Sequence, residues 1–238
     1  MDHRADEEGG LSVPPGDSAV ATPIIGLLLA AGRGSRFDAT GAASKLLAPA
    51  PASAGEASGL AVALAAARTL RVQLARVIAV VRPADSPAQQ SLHALLRDAG
   101  CELVVNPRAN EGIGTSIAAG VATVPDAGSW LVALADMPAI APATVAAVRD
   151  ALLAGAPTAA PRHAGKRGHP VGFAAGLRAE LLALTGDEGA RSVLLRHPPR
   201  LIDVEDAGCL LDLDTPEDFA AAAAAAAPAS HRNTPPRR

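Results

Sequence analysis

The chain has 238 residues, 49% of them hydrophobic, enough to bury the core of one sizeable domain without requiring a second. A formal net charge of -3 and a pI near 6.1 exclude the global basic footprint needed to neutralise a nucleic-acid backbone, though local positive charge around a small anionic ligand remains open. Cys101 and Cys209 are far apart and form no Cys-x-x-Cys spacing, which reads as two semi-buried free thiols in a reducing compartment, not as a zinc motif.

Residues 1–22 mix acids with Gly and Pro and show no periodicity or apolar signal core, so a disordered tail is expected ahead of a cytoplasmic domain spanning 23–225. No apolar stretch reaches membrane-spanning length. Residues 24–30, 77–81, 103–105 and 130–135 are short apolar runs of the kind that form buried parallel strands. Between them, residues 59–70, 86–99, 115–122 and 142–153 are rich in Ala and Leu at helical spacing. Strand alternating with helix implies an α/β fold with a Rossmann-like, doubly wound, mostly parallel sheet in a single domain. After Gly155 the rhythm loosens into pieces at 158–161, 171–174, 177–184, 190–195 and 210–213, read as an elaboration on the same sheet. The last helix is expected to start around residues 214–218, where Asp214 or Thr215 can cap, Pro216 fits the first turn and acids face the positive end. Residues 226–238 read as a second disordered tail.

The segment Leu28-Leu29-Ala30-Ala31-Gly32-Arg33-Gly34-Ser35-Arg36 runs from a hydrophobic strand into small residues and then arginines. At the carboxyl edge of a parallel sheet such a loop presents backbone N–H groups to a ligand phosphate. A dinucleotide-binding dehydrogenase would carry a third glycine where Phe37 stands and an acid about twenty residues on, and both are missing; so is a Walker A lysine. Asp136 follows the apolar run at 130–135 and could end that strand as a cap. The alternative is a carboxylate aimed at a hard cation that bridges triphosphate oxygens.

Leu-Ala-Ala-Gly-x-x-x-Arg followed by Ser44-Lys45-Leu46-Leu47 resembles the opening signature of nucleotidyltransferases that activate sugars, isoprenoid precursors and molybdopterin. Four further segments resemble one branch, the molybdopterin cytidylyltransferases and their relatives within the MobA-like NTP transferases. They are Asn106-Pro107 with Glu111-Gly112-Ile113-Gly114-Thr115-Ser116, Ala135-Asp136-Met137-Pro138, Gly168-His169-Pro170-Val171 and Leu211-Asp212-Leu213-Asp214-Thr215-Pro216. The resemblance covers roughly residues 24–221. The family's Gly directly after Arg-Phe is missing, and residues 38–43 lengthen the spacing to Lys45.

The resemblance implies that Leu29, Ala30, Ala31, Gly32 and Gly34, with Arg36 and Lys45, hold a nucleoside triphosphate, and that Gly112, Thr115 and Ser116 line its base and ribose. By residue type alone, the segment 112–116 is equally an ordinary capped helix start. The resemblance further implies Mg2+ held by Asp136, with Asp214 either a second ligand or the cap of the last helix. Lys166, Arg167 and His169 would grip a phosphorylated pterin; the bland alternative is a solvated charged face. CTP is the implied donor, because guanylyl-transferring relatives show Gly-Gly where this chain has Ala31-Gly32; GTP is the alternative. The reaction implied is CMP transfer from CTP to the phosphate of molybdenum-loaded molybdopterin with release of pyrophosphate, in the service of a molybdoenzyme or its maturation chaperone. A non-catalytic maturation factor is the reading outside the enzyme class.

Overall fold

The computed structural model describes residues 23–38 and 43–225. Both expected tails, and residues 39–42 of the lengthened loop, lie outside the described residues.

Four parallel strands form one half of the sheet, in the order β3 (Glu102–Val105), β2 (Arg76–Val81), β1 (Ile24–Leu29), β4 (Ser129–Leu134). Beyond β4 the sheet turns mixed. β7 (Val171–Ala174) runs antiparallel to β4 and to β5 (Thr158–His163), and the short β6 (Lys166–Arg167) folds back on the end of β5. The strand at Arg200–Asp203, β8, pairs parallel to the other edge of β5. Sequence reading missed it: its exposed residues alternate weakly, and the Arg162–Asp203 ion pair that fastens it has partners 41 residues apart.

Period-two alternation splits the buried side chains of the central strands between two faces. Leu28, Val77, Ala79, Val81, Leu131 and Ala133 pack under α1 (Val62–Gln73), α2 (Pro87–Asp98), α4 (Pro142–Leu153) and α7 (Pro216–Ala225). Ile25, Leu27, Ile78, Val80, Trp130 and Val132 face α3 (Ile113–Ala122), α5 (Arg178–Leu182) and α6 (Arg191–Arg196). The result is one α/β domain with helices on both sides of a mostly parallel sheet, as the alternation of elements implies. Cys101 and Cys209 are buried and free, and burial pushes the Cys101 thiol up to about 11. Among the described residues no helix is long and apolar enough to cross a membrane.

Two boundaries shift for identifiable reasons. Helix α1 starts at Val62, not residue 59, because Gly59 adopts a positive φ of 80° and Ala61 bridges to Pro49. Residues 207–210 form a 3-10 turn, and the stretch that follows runs to Asp214 outside any strand.

Candidate active site

β1 is the point where the strand order reverses. The chain leaves it for α1 and β2 on one face, and reaches its other neighbour, β4, from α3 on the opposite face. Helices on opposite faces diverge beyond the carboxyl ends of β1 and β4, and open sheets bind ligands in that crevice. A cleft of about 580 Å³ opens there. Of the residues singled out from sequence, Leu29, Ala30, Ala31, Gly32, Gly34, Arg36, Lys45, Gly112, Ser116, Asp136 and Asp214 line it.

The Gly-rich loop leaves β1 with the Ala30 N–H donated to Val80 and turns at Gly34, whose φ of 66° suits glycine. Its carbonyl accepts from the N–H groups of Phe37 and Asp38, and the Phe37 ring packs on Phe219 of α7 with centroids 5.3 Å apart. A Cβ on Gly32 would touch no protein atom within 4 Å, so protein packing does not require glycine at that point of the cleft wall. Open space over a bare backbone lets a ligand approach the loop closely.

Lys45 carries its ammonium into the floor of the site. The residues after it are fastened to the start of α1, where Ala63 donates to Leu46 and Val62 to Ala48. Lys45 is only 8% exposed; its Nζ lies 2.6 Å from Asp136 Oδ2 and 2.5 Å from Asp214 Oδ1. Burial alone would lower its pKa, but the charges and hydrogen bonds of Asp136 and Asp214 outweigh that and hold it above the ordinary lysine value. Arg36 reaches the remaining oxygen of Asp214 at 2.8 Å from an exposed position. Asp136 Oδ1 is buried and has no hydrogen-bond partner among the described residues.

The question of what caps α7 has a clear answer. Thr215 and Asp218 form a reciprocal capping box: Asp218 accepts from the Thr215 N–H at 2.7 Å and its hydroxyl at 2.8 Å, and the Asp218 N–H returns to Thr215 Oγ1 at 3.2 Å. The Asp214 carboxylate is therefore free of capping and turns into the cleft.

Thr115, by contrast, is turned inward. Its one hydroxyl proton is within reach of the carbonyls of Gly112 at 2.8 Å and Arg108 at 3.0 Å, and its oxygen accepts from Asn106, while Ser116 reaches the cleft wall. Lys166 and Arg167 sit exposed on the β5–β6 hairpin and do not line the cleft. His169, half-buried next to a cis bond to Pro170, also lies outside the lining but close enough to Asp136 to feel its charge. Burial and the nearby Arg167 push its pKa below the ordinary 6.5, with Asp136 opposing in part.

Three further residues shape the site, of which only Arg82 lies outside every segment that the sequence singles out. Asn106, 3% exposed, donates to Thr115 and Ser116 at 3.0 Å each and accepts from the Arg108 N–H, pinning the loop to α3. Arg82 follows β2 at the carboxyl edge, donates to the Ala31 carbonyl at 3.2 Å and shares the Asn110 amide oxygen with Arg33. Its place directly after the apolar run at 77–81 was the available signal. Asp187 reaches the cleft from a loop distant in sequence, within the segment 186–191 that resembles a family loop entering a helix and by residue type equally suits a capped surface helix.

Residues 26–201 match the family described as MobA-like NTP transferase domain. The chain belongs to that family. This MobA-like domain is 32% identical over 203 residues, 82% of this chain and 91% of the relative, to the nicotine blue oxidoreductase of Paenarthrobacter nicotinovorans. Among solved structures it is similar to Rv0371c from Mycobacterium tuberculosis H37Rv, with a TM-score of 0.71, 29% identity and coverage of 86% of this chain and 98% of that one. The manganese complex of Rv0371c matches with a TM-score of 0.67 and 28% identity over 85% of this chain and 99% of that chain. The family and the fold together make the chain a nucleotidyltransferase of the MobA-like type.

Proposed function

We propose that the protein transfers CMP from CTP to the phosphate of molybdenum-loaded molybdopterin, releasing pyrophosphate, in the reducing cytoplasm that two buried free thiols suit. One observation carries the reading. Lys45 and Arg36, the cations assigned to a triphosphate, converge on Asp136 and Asp214 beneath a Gly-rich loop at the switch point of the sheet.

The residues fit a magnesium ion. Asp136 keeps a buried oxygen without a partner, Asp214 is released from capping, and two carboxylates plus phosphate oxygens are a donor set that a hard cation takes. Asp136 and Asp214 would hold it. When bound, it supplies charge neutralisation across the phosphates as the α-phosphorus is attacked.

The chain's own residues do the rest. N–H groups of the Gly-rich loop bind the phosphates, while Lys45 and Arg36 screen the repulsion between two anions brought together. The acceptor phosphate is already anionic, so no protein base is needed to create the nucleophile. Pyrophosphate leaves with the charge that Lys45 and Arg36 balance. Gly112 and Ser116 face the nucleoside, and Ala31 places a methyl where the guanylyl branch has glycine, which supports CTP over GTP. On the acceptor side, Lys166 and Arg167 provide cations for the pterin phosphate, and the lowered pKa of His169 offers a neutral imidazole for orienting it.

The test is magnesium-dependent pyrophosphate release from CTP and from GTP with molybdenum-loaded molybdopterin, comparing the natural chain with Asp136→Ala. CTP-selective release that the substitution abolishes is the expected outcome. GTP selectivity moves the chain to the guanylyl branch, and no release with either nucleotide refutes the transfer.

A second reading has one observation in its favour, the oxidoreductase name of the 32% identical relative. In that reading the same cleft serves an oxidation–reduction reaction. Steady oxidation of NADH or NADPH by the purified chain in the presence of nicotine blue would establish it, and the missing third glycine and ribose acid of the loop predict none.

A further inference from the structure

The two carboxylates of the site have four oxygens, and the structure commits three of them to protein cations. Asp136 Oδ2 and Asp214 Oδ1 both hold Lys45 Nζ, and Asp214 Oδ2 holds Arg36. The fourth, Asp136 Oδ1, is buried from solvent. Two positive and two negative side chains balance, so the cluster is neutral as it stands. A divalent ion at its usual distance of roughly 2.0–2.1 Å from Asp136 Oδ2 or Asp214 Oδ1 would occupy the space of the ammonium. Leaving both cations in place would also set like charges a few ångströms apart in a site that screens poorly.

We propose that Lys45 and Arg36 are internal counter-cations that keep the carboxylates closed to a divalent metal until a nucleotide's phosphates draw them away, so that metal binds with or after the nucleotide. This rests on the nucleotidyl-transfer reading for the identity of the anion that does the drawing. The mobilities needed are unequal. Arg36 is 74% exposed and holds one carboxylate oxygen from the solvent side, so its release costs little, whereas Lys45 is held at the floor and moves only if a phosphate replaces both of its carboxylate partners. Binding order thus follows from the packing around Lys45. The cost of opening the cluster without nucleotide is the loss of two charge-assisted hydrogen bonds from one buried ammonium.

The experiment is an Mn2+ titration of the full chain followed by electron paramagnetic resonance of the free ion, without nucleotide, for the natural protein, Lys45→Met, Arg36→Gln and Asp136→Asn/Lys45→Met. The natural protein should bind Mn2+ weakly. Lys45→Met should bind it at least about tenfold more tightly, since a like charge has been removed from the metal's position, and Arg36→Gln should show a smaller gain. The double variant should lose the gain. Circular dichroism confirms folding; should Lys45→Met not fold, Arg36→Gln decides, because its side chain is exposed. Equal or weaker Mn2+ binding by the folded single variant overturns the proposal, as does tight binding by the natural protein alone. A separate arm adds CTP to the natural protein and reads Mn2+ bound beyond what CTP alone takes up. No increase there, with the gain in Lys45→Met intact, counts against the choice of nucleotide and leaves the counter-cation role standing.

Discussion

Gly112 is the position where backbone conformation, loop docking and the cleft meet, and Gly112→Ala tests all three. Its φ of 111° and ψ of 167° lie in a region that only glycine enters readily, so a side chain there costs roughly 1–3 kcal/mol. A Cβ would also stand 2.2 Å from both C and O of Gly186 and 2.6 Å from the Asp187 nitrogen. These are backbone atoms, and no rotamer change relieves the overlap. The loop must retreat, breaking the 2.9 Å bond from the Gly114 N–H to the Gly186 carbonyl, worth about 1 kcal/mol more. A total of about 2–4 kcal/mol should lower the melting temperature by roughly 5–15 °C in a domain of this size. Because Asp187 lines the cleft, CTP affinity should fall as well. Gly176→Ala is the control, since a Cβ there meets nothing within 4 Å. Thermal unfolding and equilibrium CTP binding read the result. A melting point for Gly112→Ala indistinguishable from that of Gly176→Ala would refute the packing argument.

Asn106→Ala removes a buried amide that satisfies Thr115, Ser116 and the Arg108 N–H; urea denaturation should show a loss of about 1–3 kcal/mol, and KM for CTP should rise more than kcat falls, because Ser116 is displaced rather than a reacting group removed. Asp218 is held below its ordinary 3.8, first by the Thr215 hydroxyl and then by backbone N–H groups, so its contribution is fully present above 3.8 and vanishes as pH falls through the lowered folded value. Asp218→Asn keeps an acceptor at the cap and loses a largely solvent-screened charge, so it should cost less than about 1 kcal/mol at neutral pH, and the two proteins should converge in stability in acid; a pH-independent difference would contradict the capping box.

Legibility in the sequence followed the range of the signal. The parallel half of the sheet was readable because β1, β2 and β4 are nearly continuous apolar runs buried on both faces and the half-exposed edge strand β3 still carries the apolar run at 103–105, and β1 through β4 lie within a residue or two of where those runs fall. The mixed half was not. β8 is a mostly exposed edge strand held by pairing with β5 and by an ion pair to a residue about forty positions earlier, and neither tie is visible in local sequence. The same division holds in the site. The Gly-rich loop and Asp136 announce themselves by following a strand, whereas Asp187 enters the cleft only because Gly112 and Gly114 let another loop dock against the start of α3. Thr115 shows the limit of reading by residue type: two adjacent hydroxyls are equivalent in the sequence, and helix geometry sends one inward and one to the cleft wall.

The site's charges come from opposite ends of the domain, and the fold ties those ends together twice. Arg36 follows the first strand and Asp214 precedes the last helix, yet they meet at 2.8 Å, and one residue beyond Arg36 the Phe37 ring packs on Phe219 of that helix. Thr215 takes over the capping of α7, which leaves Asp214 available to Lys45 and Arg36. A nucleotide that pulls Arg36 toward its phosphates therefore acts on α7 through two contacts, one charged and one aromatic. The charged contact yields to the ligand, while the aromatic one keeps the helix, and Asp214 with it, beside the loop. That division of labour explains why a helix made mostly of alanine, with a single fully buried side chain at Ala222, can still hold a carboxylate in place at the floor of the cleft.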